Sequence, residues 1–396
     1  MPSRFNSTEK KLILGISLVM GLRMLGVSMI IPIFSIFATE LPRSTKALAG
    51  VAVGIFGIMQ TILQIPVGRL SDRWGRKQVT IIGLFVYMVG TVLSGASRGI
   101  HHLIGARALA GSGAISGVTM AWLTEGVGEN RRNAALSYVG ISMGLSVIVG
   151  FTLSPLLAAR VGIPFLFYLC AGIIFVTIIY TLRFTENHES ADDEVIDIKK
   201  ENLLAVMANR DLRKLNLIGF VANLNLNSAF FVMPLLIKES MGMSGMWKIY
   251  IPMSLTGTAL MFYFGRTADR KGTVPVVMIG LVFELAGALT ALMINSLPGN
   301  IASFILFYAG HCVLSPVLPA AASRHPNTRI KGTVMGLFNS CQFIGSGLGG
   351  VIAGALLEFD HRYVFGVVCF FLLTAFISAG RFRNFAEEPS TPEVGK

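Results

Sequence analysis

Gly68-Arg69-Leu70-Ser71-Asp72-Arg73-Trp74-Gly75-Arg76-Lys77 sets one carboxylate among four cations, with a glycine at its start and another before its last two bases. Its chemistry is ionic. Its glycines permit tight turns and close helix approach, and its bases can pair with a carboxylate elsewhere in the chain. A shorter copy, Gly265-Arg266-Thr267-Ala268-Asp269-Arg270-Lys271-Gly272, follows 197 positions later. Each copy lies between two long apolar runs, which predicts a chain built from two related halves.

Four more ionisable side chains fall inside apolar runs: Arg23, Arg107, Glu284 and His311. An arginine at the centre of a membrane span costs roughly 2.5–3.5 kcal/mol on insertion scales, so Arg23 has to face a cavity or a partner. The alternative is a packing arginine bonded to nearby carbonyls. Glu284 is the one clear mid-span carboxylate. It suits a proton site or an interhelical bond, and His311 is the second proton candidate or a hydrogen-bonded packing residue. Amides recur at helical spacing: Gln60 with Gln64, then Asn216, Asn223 and Asn227 on one face with Asn225 turned away, then Asn339 with Gln342. Such spacing places side chains on one helix face. They line a pocket or bond helix to helix, the latter worth about 0.6 kcal/mol per bond.

The elements that carry these residues are membrane spans. The chain is 53% hydrophobic and 14% charged, with mean hydropathy +0.67, whereas soluble chains carry about 25% charge. Twelve apolar segments lie near 12–38, 46–70, 78–97, 101–124, 133–159, 164–183, 213–238, 248–266, 273–295, 299–323, 332–357 and 361–381. Each is close to the ~20 residues that cross a bilayer, and in lipid each has to be a helix. The predicted fold class is an all-α membrane protein of twelve transmembrane helices in two pseudo-symmetric six-helix bundles. An N-terminal bundle (1–183), a cytoplasmic linker (184–212) and a C-terminal bundle (213–396) are expected.

The net charge of +12 is no sign of nucleic acid, because the bases sit in short loops. With the N-terminus inside, 24 of the 33 lysines and arginines fall on inner segments and seven on outer loops. That asymmetry puts both termini in the cytoplasm and the protein in the cell membrane. The first apolar run is too long for a signal-peptide core. Cys170, Cys312, Cys341 and Cys369 lie in spans without metal-ligand spacing. No G-x-x-x-x-G-K-[ST] nucleotide loop occurs. Neither an enzyme, a cofactor nor a bound metal is expected.

Over nearly its whole length the chain resembles the major facilitator superfamily. Gly68 to Lys77 fits the signature G-x-L-x-D-R-x-G-R-K at every fixed position, and Arg107, Gly111 and Gly113 fit a second signature, R-x-x-x-G-x-G. Together they resemble the drug:proton antiporter branch. Leu22 to Gly26, Gln64 to Pro66, Gly111 to Ile115, Trp247 to Tyr250 and Lys331 to Gly336 are similar to the YajR-type members, without their C-terminal soluble domain. One departure concerns span 5, where Ser154-Pro155 replaces the branch's G-P and no glycine pair follows.

The resemblance implies a secondary transporter that alternates access to a central cavity. Partners would be a small-molecule substrate, protons and the bilayer, with the protein a monomer. Substrate-contacting residues would be Arg23, Gln60, Gln64, Asn223, Asn227, Asn339 and Gln342. The conformational gate would comprise Gly68, Asp72, Arg73, Gly75, Arg76, Lys77, Arg107, Glu125 and Gly336. Asp72 would meet the N-terminus of span 11 at Gly332 to Gly336, where unpaired backbone N–H groups favour an anion. Arg73 and Arg76 would reach Glu125. Arginines and amides, with no carboxylate in the predicted cavity, point to neutral or anionic amphiphiles, exported against a proton gradient. Uptake or exchange of an anionic metabolite clamped by Arg23 is the alternative, as is a lipid-moving or receptor-like protein on the same fold.

Overall fold

The computed structural model describes residues 5–113, 115–128, 131–185, 208–323 and 331–380. Among them are thirteen helices and no strand: α1 (Ser7–Glu40), α2 (Lys46–Trp74), α3 (Arg76–Gly95), α4 (Ile100–Ser112), α5 (Ser116–Glu125), α6 (Arg132–Val161), α7 (Ile163–Phe184), α8 (Arg210–Gly245), α9 (Trp247–Lys271), α10 (Thr273–Met293), α11 (Leu297–Ser323), α12 (Lys331–Leu357) and α13 (His361–Gly380). Most of the expected linker, residues 186–207, lies outside the described residues.

Ten of these helices are long and apolar enough to cross a membrane. The fourth expected span departs from a continuous rod: it divides into α4 and α5. Gly113 has left helical geometry, with ψ 46°. A Cβ there would stand 2.4 Å from the Gly83 carbonyl oxygen and 2.8 Å from the Tyr87 Cβ. The break therefore lets the chain press against α3. The other helix outside the ten is α9, which carries Ser254, Thr256 and Thr258 among its apolar residues.

Local chemistry sets the helix ends. Asn6 caps α1 by accepting from the Glu9 N–H at 2.7 Å, while the Glu9 carboxylate accepts from the Asn6 N–H at 2.9 Å. This reciprocal pairing satisfies two donors that the first turn leaves free. A single glycine joins α2 to α3 and another joins α9 to α10. Gly75 (φ 93°, ψ 145°) and Gly272 (φ 90°, ψ 163°) adopt the same left-handed link. They are equivalent positions of the two sequence copies, so the internal repeat is also a repeat of backbone geometry. A side chain at either site would be strained.

The helices sort into two compact units. One contains residues 1–195, 227–255 and 347–361; the other contains 196–226, 256–346 and 362–396. Thus α8, α9 and α12 each contribute one end to each unit. In the first unit, Leu12, Ile16 and Met20 of α1 bury with Trp122 of α5 and Val139 of α6. A second cluster joins Val19, Leu84, Tyr87, Ala110 and Ile174. At the end of this unit near loop 41–45, Gly54 of α2 faces Gly347 of α12, and a Cβ on Gly54 would stand 2.3 Å from the Gly347 carbonyl oxygen. Gly50 meets Gly350 and Gly354 equally closely. Small residues let two membrane helices touch backbone to backbone. The Tyr250 hydroxyl donates to the Pro32 carbonyl at 3.2 Å, and Phe151 packs on Phe230 at 5.3 Å between ring centres. Lys46 Nζ donates to the Leu357 carbonyl at 3.1 Å, and Lys238 pairs with Glu40.

In the second unit α10 and α11 are joined by glycine contacts. A Cβ on Gly287 would reach the Ser303 carbonyl oxygen at 3.0 Å, and one on Gly280 would reach the Leu314 side chain at 2.7 Å. Outward-facing side chains are apolar: Phe85, Phe175 and Phe370 are each more than half exposed. Such surface is costly in water and matches the acyl chains of a bilayer.

Candidate functional site

At the α2–α3 turn, the Arg76 guanidinium bonds Asp72 at 2.6 Å and Glu125 at 2.6 Å, with a second bond from Nε to Glu125 at 3.1 Å. A fork of this kind fixes direction as well as charge. Glu125 is the last residue of α5, so the pair ties the turn to the end of the broken span. Lys77 Nζ donates to the carbonyls of Leu182 (3.0 Å) and Thr185 (2.7 Å) at the end of α7, where a cation suits the carbonyl-rich helix terminus. Of the two arginines expected at Glu125, Arg76 makes the contact, while Arg73 is exposed. Among the described residues, no atom beyond their own helix backbone and chain neighbours lies within 4 Å of the position a Cβ would take at Gly68 or Gly336.

Deeper in the same unit the two span arginines share an aromatic setting. Arg23 is 7% exposed. Its Nη1 donates to Ser116 Oγ at 3.0 Å, and its guanidinium carbon lies 5.7 Å from the centre of the Tyr87 ring. The Arg107 guanidinium carbon lies 4.7 Å from the Phe34 ring centre and 4.4 Å from that of Phe56. Phe56 and Tyr87 are 6.2 Å apart, so the rings link the two cations. Neither arginine forms an ion pair among the described residues, and the Nε of each is buried without a hydrogen-bond partner. Cation–π contact supplies about 0.5–2 kcal/mol per pair, while a buried charge is ordinarily matched by an opposite one.

The amides divide. Gln60 is buried; the Gln64 amide nitrogen lies 3.2 Å from the Cβ position of Gly117, against α5. Both belong to the unit that holds the arginines. The Asn223 amide donates to the Gly219 carbonyl of its own helix at 3.0 Å. Asn216 is buried, and Asn227, Asn339 and Gln342 are half-buried. The Gln342 Cγ comes within 3.4 Å of the Cβ position of Gly219, so α8 and α12 bring Gln342 near the α8 amides in the second unit.

Glu284 and His311 lie in that second unit as well. Glu284 is fully buried and accepts from Asn225 Nδ2 at 2.9 Å. The His311 imidazole reaches the Ala222 backbone, one turn from Asn225. Asn225 was missed by helix-face reasoning, because it lies off the stripe of Asn216, Asn223 and Asn227. The signal available was Glu284 itself, a lone carboxylate that needs a donor on a neighbouring helix. Tyr87, Phe34, Phe56 and Ser116 were missed too, since aromatic and hydroxyl side chains in apolar runs carry no pattern of their own.

The model of the Major Facilitator Superfamily matches residues 16–350 and 253–396. The chain belongs to the major facilitator superfamily. Its fold class is therefore the all-α, twelve-span membrane fold of that superfamily, whose members are transporters and not enzymes. The inner membrane transport protein YajR of Escherichia coli (strain K12) is 30% identical over 90% of this chain and 80% of its own length. Multidrug resistance protein 1 of Bacillus subtilis (strain 168) is 24% identical over 86% of this chain and 88% of its own. A bacterial homologue of the human lysosomal transporter Spinster, solved in an inward-facing and occupied conformation, superposes with a TM-score of 0.79 at 13% identity, over 98% of this chain and 100% of that one. This last likeness is one of fold.

Proposed function

We propose that the protein is a proton-coupled secondary transporter that exports small amphiphilic compounds by alternating access. The observation that carries the substrate side of this reading is the pair Arg23 and Arg107, two cations set among Tyr87, Phe34 and Phe56 without a carboxylate. Aromatic walls suit an apolar body. Unmatched positive charge disfavours lipophilic cations and favours neutral or anionic compounds. Similarity to a multidrug resistance protein supports the export direction.

In this reading the halves 1–183 and 213–396 rock about the linker 184–212, and the protein works as a monomer with both termini in the cytoplasm of a cell whose inner membrane it spans. The turn from Gly68 to Lys77 is the inner gate. Arg76 holds Asp72 and Glu125 at this turn, so one guanidinium sets the gate's charges. The glycine contacts of Gly50 and Gly54 with α12 serve the outer mouth.

Proteoliposomes with an imposed pH gradient test this. Movement of a dye or drug that stops on adding a protonophore supports export. The specific observation of two arginines without a counter-charge also favours a second reading, uptake or exchange of an anionic metabolite. Counterflow of an organic anion that disappears in Arg23→Ala would select it.

A further inference from the structure

Glu284 and Asn225 leave an odd remainder. Both side chains are fully buried, and one bond joins them, Asn225 Nδ2 to Glu284 Oε2 at 2.9 Å. Each then keeps an oxygen with no donor among the described residues: Glu284 Oε1 and Asn225 Oδ1. Buried acceptors are almost always satisfied, and an ionised carboxyl can only accept. Two lone acceptors in one bonded pair call for one hydrogen.

Among the described residues of α8, α10 and α11, none packed on this pair offers a cation to balance a charge. Between Asn216 and Ile237, α8 has no ionisable side chain, and Glu284 is the only one on α10. On α11 the ionisable residues are Tyr308, His311 and Cys312. Tyr308 and Cys312 pack on Gly257 of α9, and His311 reaches the Ala222 backbone. Against Glu284 itself α11 presents Gly310, where a Cβ would come 2.7 Å from the Glu284 Cγ. The carboxyl is thus wedged between an amide and bare backbone.

We propose that Glu284 is a proton-binding site: the carboxyl carries a hydrogen on Oε1 and donates it to Asn225 Oδ1, while Asn225 Nδ2 donates to Oε2. The acid and the amide then form a two-bond ring, neutral overall, that ties α8 to α10. His311 reaches the Ala222 backbone one turn along α8 from Asn225, and its Nδ1, with no hydrogen-bond partner among the described residues, is a group able to accept the proton. Withdrawal of α8 from α10 breaks the ring and exposes the acid, which is how the proton would be released. Only that last use in transport rests on the proton-coupled reading above.

Infrared spectroscopy of the purified full chain in lipid nanodiscs at neutral pH tests the assignment without any substrate. The wild type should show a protonated-carboxyl C=O band that shifts in D2O. Glu284→Gln should lack that band and keep the wild-type melting temperature, because glutamine preserves the neutral pairing. Asn225→Leu should keep the band and move it to higher frequency, as the hydrogen bond to the acid is gone. That second variant decides the matter if Glu284→Gln does not fold. A wild-type spectrum without such a band, or one unchanged by the substitution, would overturn the proposal. Loss of proton-driven transport with the band intact would instead fault the transport reading alone.

Discussion

Arg76 holds Glu125 through two bonds, 2.6 Å from Nη2 and 3.1 Å from Nε, while bonding Asp72 at 2.6 Å. One guanidinium therefore fixes both a carboxylate on its own turn and the end of α5. Lysine keeps the charge but lacks the fork. Arg76→Lys should lower the melting temperature of the purified protein, and a double-mutant cycle of Arg76→Ala with Glu125→Ala should return a coupling of about 1 kcal/mol, the upper end for partly exposed pairs. Additive single effects would show that the fork carries no energy.

Asp72→Asn keeps size and removes charge. The proposed gate depends on that charge, an effect of order 1 kcal/mol where an anion faces a helix N-terminus. Turnover should fall about tenfold, which is a barrier change of about 1.4 kcal/mol, with membrane expression unchanged. Wild-type turnover in proteoliposomes would remove Asp72 from the gate.

Arg23 and Arg107 differ in what each would lose. Arg23 has Ser116 and Tyr87 as partners, and Arg107 has two phenylalanine rings. Arg23→Lys retains charge and should keep most transport, whereas Arg23→Ala should abolish the response to anionic compounds. Arg107→Lys should be the more damaging lysine replacement, because an ammonium stacks on rings less well than a planar guanidinium. Equal tolerance of lysine at both sites, measured as initial rates, would show that ring stacking does not matter.

Gly54 stands where a side chain would meet the Gly347 carbonyl oxygen at 2.3 Å from Cβ onward. Gly54→Val should cost about 1–3 kcal/mol of stability, the usual range for overpacking, and bias the protein against closing that end. Melting temperature and cysteine accessibility near loop 41–45 report these separately. A stable, wild-type-like Gly54→Val protein would mean the backbone contact is easily relaxed.

Much of this was legible before any coordinates. Mean hydropathy and loop charge announced a membrane bundle, because lipid forces backbone bonds inside each span. The repeated turn announced itself too, and Gly75 and Gly272 carry it into matching backbone angles. The break between α4 and α5 was not legible. Gly111 and Gly113 stood out as part of a signature, but that Gly111 presses on Phe56 of α2 and Gly113 on Gly83 of α3 is a tertiary fact. That Arg76 would reach Glu125 was readable from charge and position, whereas the exposure of Arg73, the Arg76–Asp72 pair and the Lys77 bonds to the end of α7 were not. The Asn225–Glu284 contact escaped because face periodicity ranks residues along one helix, whereas this pair is chosen by the meeting of two.

In the proposed function a proton gradient drives export. Purified protein in sealed liposomes, loaded with a fluorescent amphiphilic anion and exposed to an imposed pH gradient, measures it directly. Gradient-dependent movement that collapses with a protonophore and slows in Asp72→Asn is the expected result. Movement of equal rate with and without the gradient, or with no exchange partner, would rule out proton-driven export.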